Sequence, residues 1–146
     1  MTRVDFYVLK NQASPESFTC SIVNKALRQG MDVHIHTESR ESARQLDDYM
    51  WIFRDTSFLP HVLADESPQQ SAPVTIGWTG SSRPNQGVLV NLGDDIPDFA
   101  GTFARIIEIV PPENPARDQA RDRYRRYREL GFELHNHEIA AGNDNT

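Results

Sequence analysis

Histidine pairs are the first residues of this sequence whose spacing could do chemistry. His34 and His36 lie two apart in a predicted strand, so their side chains face the same side, and His135 and His137 repeat the spacing. A zinc site needs convergent ligands, commonly cysteine thiolates or two histidines four apart on a helix. The 146 residues contain one cysteine, Cys20, and no His-x-x-x-His pattern. We therefore expect structural or surface histidines, no metal and no cofactor, with Cys20 as a small core residue.

Phosphate binding and covalent catalysis also lack their motifs. The turn after the first predicted strand, residues 10–15, reads KNQASP and has no glycine. Both the dinucleotide fingerprint and the P-loop need glycines, because backbone amides must approach the phosphates. No serine lies in a Gly-x-Ser-x-Gly elbow. A nucleotide-binding regulator or an enzyme stays an alternative without a supporting motif, and we expect no catalytic residues.

The clearest chemical pattern is a run of arginines near the carboxyl terminus. Six arginines and two aspartates between positions 117 and 128 give this segment a net charge of +4, although the whole chain carries −6. On a helix that turns about 100° per residue, an arc of roughly 100° forms one basic face, which contains Arg117, Arg121, Tyr124, Arg125 and Arg128. A neighbouring apolar arc is expected to pack on a sheet, and its residues are Ala116, Ala120, Tyr127 and Leu130.

This basic face, at the rim of an apolar surface, suits an acidic peptide with a hydrophobic end. Arginine binds carboxylates with two parallel hydrogen bonds, and an apolar pocket can take the terminal side chain. A solvated helix face, with Asp118 and Asp122 as partners of the arginines, fits the same pattern. Direct binding of single-stranded DNA, with Tyr124 and Tyr127 as stacking platforms, is a further alternative. The acidic remainder of the chain argues against it, because such proteins depend on many phosphate contacts.

A second surface combines large apolar residues with a predicted loop. Trp51 stands at the end of a predicted helix, and Phe58, Leu59, Pro60 and His61 follow it. Aromatic residues beside proline in a loop often anchor protein interfaces, although a tryptophan buried in the core has the same sequence pattern. Both interpretations stay open at this point.

Alternating strands and helices must position these residues. Strands are predicted at residues 4–9, 31–37, 73–78, 87–92 and 108–110. Helices are predicted at 15–28, 39–53, 98–106 and 115–130, with a loop at 55–61, and the last helix leads into residues 132–135. The β-α-β start predicts a parallel pair with a right-handed crossover.

The order of these elements predicts an α/β fold. We expect a single three-layer domain over residues 1–139 with a mostly parallel central sheet, of Rossmann-like topology without a phosphate-binding glycine loop. Residues 140–146 are expected to form a flexible polar tail. No apolar run approaches the roughly 18 residues that cross a bilayer, and the start of the chain lacks the apolar stretch of a signal peptide. We therefore expect a cytoplasmic protein without membrane contact.

Several segments, in order along nearly the whole chain, carry a family resemblance. They are VDFYVL at 4–9, FLPH at 58–61, PVTI at 73–76, DFA at 98–100 and ARDRYRRYR at 120–128, followed by Gly131 and Phe132. The Tyr-x-x-Tyr-Arg helix is the most specific piece. Together they resemble the chi subunit of bacterial DNA polymerase III, which is associated with the clamp loader.

The resemblance implies a non-catalytic adapter in DNA replication, a subunit of a nucleotidyltransferase complex that contacts DNA only indirectly. One implied partner is the psi subunit of the clamp-loader complex. The other is the C-terminal tail of single-stranded-DNA-binding protein, which is acidic and ends in a hydrophobic residue.

The resemblance also implies the residues of each contact. Carried over by position, the tail site comprises Val110, Arg117, Arg121, Tyr124 and Arg125, to which the basic face adds Arg128. The family often has lysine at 117 and 125, and arginine preserves the positive charge with a different hydrogen-bond geometry. The psi-facing surface would comprise Trp51, Phe58, Pro60 and His61.

Overall fold

A parallel sheet of seven strands organises the computed structural model, which describes residues 2–10, 14–53, 60–65, 72–79 and 87–139. The strands are β1 (Arg3–Leu9), β2 (Val33–His36), β3 (His61–Leu63), β4 (Val74–Gly77), β5 (Val88–Asn91), β6 (Arg105–Val110) and β7 (Glu133–Ile139). The helices are α1 (Pro15–Arg28), α2 (Arg40–Ile52) and α3 (Ala116–Glu129), with a short 3-10 helix at Ala100–Thr102. The strand order is β3-β4-β2-β5-β6-β1-β7, and every described pair is parallel. The predicted α/β fold is confirmed.

Local signals explain where the first two helices begin and end. The Ser14 hydroxyl accepts a hydrogen bond from the amide of Ser17, and proline follows it at the first helical position. Gly30 closes the α1 segment with φ of 78°, a conformation that other residues rarely adopt. At α2, Ser39 and Ser42 form a reciprocal capping box.

The helices cover the sheet from both sides. One core lies between the sheet and α1 with α2, and it contains Cys20, as predicted. The other lies under α3 and the 3-10 helix, and it includes Phe6, Phe99, Phe103 and Tyr127. We call these the α1–α2 face and the α3 face of the sheet.

Three predictions are wrong, two about secondary structure and one about packing. Residues 98–106 do not form a helix, because only Ala100–Thr102 makes a 3-10 turn and Arg105 with Ile106 already belongs to β6. The β-branched residues of β6 extend between β5 and β1 in the middle of the sheet. His61 is the first residue of β3 rather than part of a loop.

The third error concerns Leu130, which does not pack on the sheet. It lies just after the end of α3 and is 56% exposed. The buried residues of α3 are Ala120, Arg123 and Tyr127, so an arginine that was predicted neither as apolar nor as part of the basic face contributes to the buried side of the helix. After α3, residues 133–139 form β7, a longer element than the four residues noted in the sequence.

Candidate functional site

A groove on the α3 face begins with three residues in one row across the sheet. The register pairs Val8 of β1 with Val110 of β6 on one side and with Glu138 of β7 on the other. Side chains of paired parallel strands lie side by side, so these three form a floor that is apolar at one end and acidic at the other. The next row contains Glu108, Phe6 and Asn136.

The amino-terminal half of α3 forms one wall of this groove. The groove has a volume of about 710 Å³, and its lining from this wall is Arg117, Ala120, Arg121 and Tyr124. The Tyr124 ring packs edge-on against Phe6 with centroids 5.1 Å apart, and its hydroxyl accepts a hydrogen bond from the Asn136 amide at 3.4 Å. The groove therefore joins an apolar floor to a basic wall.

The arginines of the basic face differ in what holds them. Within the described part of the chain, Arg117 has no carboxylate within 4.0 Å, and Arg121 has only Asp118 at 3.8 Å. Arg125 makes a closer pair with Asp122 at 2.7 Å. Arg128 lies over the Tyr124 ring, 5.9 Å from its centroid. The intrahelical ion pairs that a solvated helix face predicts are thus present for Arg121 and Arg125, and none is found for Arg117 among the described residues.

Arg125 faces a different hollow from the groove. This second hollow, of about 670 Å³, lies between α3 and the segment 94–98, and Asp94, Asp95 and Asp98 contribute acidic groups to it. Of the residues proposed for the tail, the groove brings together Val110, Arg117, Arg121 and Tyr124. Arg125 and Arg128 lie outside its lining.

A buried polar network attaches α3 to the sheet. The Glu108 carboxylate is fully buried and accepts hydrogen bonds from Arg123 at 3.0 Å, from the Asn91 amide at 2.8 Å and from the Tyr127 hydroxyl at 2.6 Å. Arg123 also donates to the backbone oxygen of Asp94. Burial raises the pKa of Glu108, which Arg123 and the two other donors oppose. Burial and the neighbouring Glu108 raise the pKa of Tyr127.

Sequence reasoning missed this network. Its signals were a glutamate within the otherwise apolar run RIIEIV and an arginine one turn before a buried tyrosine. A buried charge must be paired, so Glu108 predicts partners, but Arg123, Asn91 and Tyr127 lie 15, 17 and 19 positions away from it in sequence.

The second surface is partly exposed. Trp51 is 47% exposed at the end of α2, and its ring lies 3.8 Å from the ring of His61. His61 is buried and 3.5 Å from the Asp47 carboxylate, and Pro60 is exposed. Ile52, which was not predicted as part of this surface, is 81% exposed beside Trp51. Phe58 and Leu59 lie outside the described residues.

The crevice at the carboxyl ends of the strands is where a nucleotide would be sought in such a fold. A cavity of about 410 Å³ lies there, and Glu16, Glu38 and Asp94 line it. Arg123, the one arginine among its described lining residues, is already bound to Glu108. An acidic lining repels phosphate, so this crevice does not favour the nucleotide-binding alternative.

Three of the four paired histidines have polar partners, whereas the buried Nδ1 of His36 has no hydrogen-bond partner among the described residues. Nδ1 of His34 lies 2.6 Å from the Thr75 hydroxyl, and Nε2 of His135 lies 2.6 Å from Glu133. His137 contacts the buried carboxylate of Asp5 at 2.8 Å. No group of three or more candidate metal ligands occurs in the described ranges.

Asp5 is the centre of a second polar cluster, on the α1–α2 face. Besides His137, Arg3 and Arg105 donate to its carboxylate at distances between 2.7 and 3.2 Å. Burial alone would raise the pKa of Asp5, but these hydrogen bonds outweigh it and lower the pKa to about 2. A second effect of the cluster is to stack the His137 ring on Tyr7, with centroids 4.6 Å apart.

Comparison with known proteins assigns residues 1–135 to the family described as DNA polymerase III chi subunit, HolC. The chain is 39% identical over 142 residues to DNA polymerase III subunit chi of Pseudomonas aeruginosa, covering 95% of this chain and 98% of the relative. It is 35% identical over 141 residues to the Escherichia coli protein of the same name, covering 92% and 96%. Identity to the Haemophilus influenzae protein is 33% over 132 residues, covering 88% and 92%. Among the described residues, no helix is both long and apolar enough to span a membrane.

Proposed function

The chain belongs to the DNA polymerase III chi subunit family, and on that premise we propose that it is a non-catalytic adapter of the replication machinery. Its first partner is the acidic C-terminal tail of single-stranded-DNA-binding protein, and its second is the psi subunit of the clamp-loader complex. By holding both, it tethers the clamp loader to template coated with single-stranded-DNA-binding protein and raises the local concentration of each near the other.

The groove beside α3 is the observation that carries the tail contact. A peptide whose carboxylates meet Arg117 and Arg121 can extend its terminal apolar side chain onto Val110, Val8 and Tyr124. Arg117 and Arg121 are only weakly engaged within the protein, so a carboxylate of a partner meets little competition there. Arg125 and Arg128 flank Tyr124 and add positive charge at the edge of the site.

The partly exposed apolar surface around Trp51 supports the psi contact. Large exposed aromatic and aliphatic side chains next to each other are typical of interface centres. Trp51 and Ile52 supply that area, and Pro60 extends it. His61 lies beneath Trp51 and supports its ring rather than facing the partner. Phe58, which lies outside the described residues, is proposed as a further residue of the psi contact.

The test is a titration of a labelled acidic C-terminal peptide from the cognate single-stranded-DNA-binding protein against the wild-type chain and Arg121→Ala. We expect saturable binding that falls about threefold to tenfold in the variant, since a charge-assisted contact is lost. Arg28→Ala, at the end of α1 on the opposite face, is the matched control and is expected to bind normally.

Single-stranded DNA is the competing ligand in the same titration. The adapter function predicts that bare DNA neither binds at comparable concentrations nor displaces the peptide. Absence of peptide binding, or preference for DNA, would reject the adapter and favour direct DNA binding by the arginine face.

A further inference from the structure

The groove beside α3 has a second wall, formed by the ends of β1 and β7. Phe6 and Val8 lie on the α3 face of β1, since alternate residues of a strand face the same side, and Lys10, the residue after the end of β1, lines the same groove. Asn136 and Glu138 stand beside Phe6 and Val8 on β7. Lys10 and Glu138 therefore line the same groove as Arg117 and Arg121.

Lys10 and Glu138 form an ion pair at the surface of this second wall. The Lys10 ammonium lies 3.2 Å from a Glu138 carboxylate oxygen, with the two side chains 53% and 70% exposed. An exposed pair of this kind holds weakly, because water screens it and two long side chains must be ordered. It can open when a competing carboxylate arrives.

The two charges have opposite effects on an acidic peptide in the groove. Glu138 is the acidic end of the floor row, next to Val8, and it repels a carboxylate that settles over the apolar residues. Lys10 attracts the same carboxylate once Glu138 no longer occupies it. Among its described lining residues, the groove thus contains three cationic side chains, Lys10, Arg117 and Arg121, and one carboxylate, Glu138, which is paired with Lys10.

We propose that Lys10 is a second-wall contact for the acidic peptide and that Glu138 sets the affinity of the site by competing for Lys10. This inference rests on the proposed tail-binding function and adds the specificity-determining residues of the wall opposite α3. An acidic peptide binds by exchanging the Lys10–Glu138 pair for a pair between Lys10 and one of its own carboxylates. The exchange lowers affinity relative to a groove without Glu138 and disfavours peptides with too few acidic residues.

The test uses the full chain and a synthetic acidic peptide that ends in phenylalanine, with a second peptide in which asparagine replaces each aspartate. Lys10→Glu is expected to weaken binding of the acidic peptide about fivefold, and Glu138→Gln to strengthen it about threefold. Both changes are expected to leave binding of the neutral peptide unaltered. Matched controls on the other face are Lys25→Glu on α1 and Glu41→Gln on α2, which are expected to change neither affinity.

Opposite signs for the two variants are the decisive result. If the pair only stabilised the ends of β1 and β7, both variants would weaken binding together, and that outcome overturns the inference. Equal effects in the groove variants and their matched controls would also overturn it, since only overall charge would then matter. Weaker binding by Arg121→Ala, together with unchanged binding by Lys10→Glu and Glu138→Gln, would reject the inference and leave the tail-binding function in place. No binding by the wild-type chain would reject both.

Discussion

Arg123 of α3 donates to the fully buried carboxylate of Glu108 at 3.0 Å, and this pair joins the helix that carries the basic wall to the central strand β6. The remaining lone pairs of Glu108 are satisfied by Asn91 and Tyr127. Because both charges are desolvated, the pair holds its geometry only while every partner is present. The position of the proposed tail-binding wall therefore depends on residues that no peptide touches.

Arg123→Ala is expected to lower the free energy of unfolding by roughly 3 to 5 kcal/mol, because it leaves the Glu108 carboxylate buried without its cation. Urea denaturation measures the change. Arg126→Ala, at an exposed position of the same helix, is the control and should alter stability by less than about 0.5 kcal/mol. Equal losses in both variants would contradict the assigned role of the buried pair.

Tyr127→Phe removes one hydroxyl and leaves the ring in the core. The hydroxyl donates to Glu108 at 2.6 Å, so its loss is expected to cost about 1 to 3 kcal/mol of unfolding free energy. The ring contacts with Phe6 and Phe132 should persist. A variant as stable as the wild type would show that the network tolerates a missing donor.

The lowered pKa of Asp5 predicts that the folded protein loses stability in acid. Its pKa is lowered from 3.8 to about 2 in the folded protein, so the folded state holds the charged form more firmly than the unfolded chain does. The stabilisation is fully present above pH 3.8 and is lost as the pH falls towards 2. Its size is about 1 to 2 kcal/mol, reduced by the partial exposure of Arg3 and Arg105.

The measurement is urea denaturation over this pH range for the wild type and Asp5→Asn. The variant should be less stable at neutral pH, and the difference should shrink as the pH approaches 2. A difference that stays constant with pH would mean that the carboxylate charge does not contribute through this cluster.

The affinity for the tail peptide should depend more on Arg121 than on Arg125. Arg125 is paired with Asp122 at 2.7 Å and faces the acidic hollow, whereas Arg121 lines the groove. Arg125→Ala is therefore expected to reduce peptide affinity less than Arg121→Ala, by roughly twofold at most. The same titration as above measures both variants. A larger effect of Arg125→Ala would indicate that the peptide crosses α3 instead of following the groove.

The two proposed contacts should respond differently to salt. Binding of the acidic peptide should weaken steadily as the ionic strength rises, because exposed charges are screened within about 10 Å at 0.1 M salt. Binding of psi through Trp51 should change far less, since it depends on apolar area. Titrations of each partner at increasing sodium chloride compare them, with Trp51→Ala as the variant that should remove psi binding and leave the peptide unaffected. A flat salt response for the peptide would contradict the electrostatic contact.

Local sequence signals determined the ends of α1 and the composition of the basic face of α3. Ser14 with Pro15 and Gly30 mark the two ends of α1, and the arginine spacing already places Arg117, Arg121 and Tyr124 on one side of α3. These features follow from backbone propensity and helical period, which act over a few residues. The family resemblance rests on the same continuous segments, and the match over residues 1–135 confirms it.

Only the tertiary structure decided which distant residues meet. Nothing near residue 108 in sequence identifies Arg123 as the partner of Glu108, and nothing near residue 10 shows that Lys10 reaches Glu138 of β7. Packing of α3 on β6 creates the first relationship, and pairing of β1 with β7 creates the second. The same long-range packing turned residues 105–106 from a predicted helix into a central strand and left Leu130 in solvent. Strand pairing and burial depend on the whole chain, so local patterns could name the basic residues but could not assemble the groove around them.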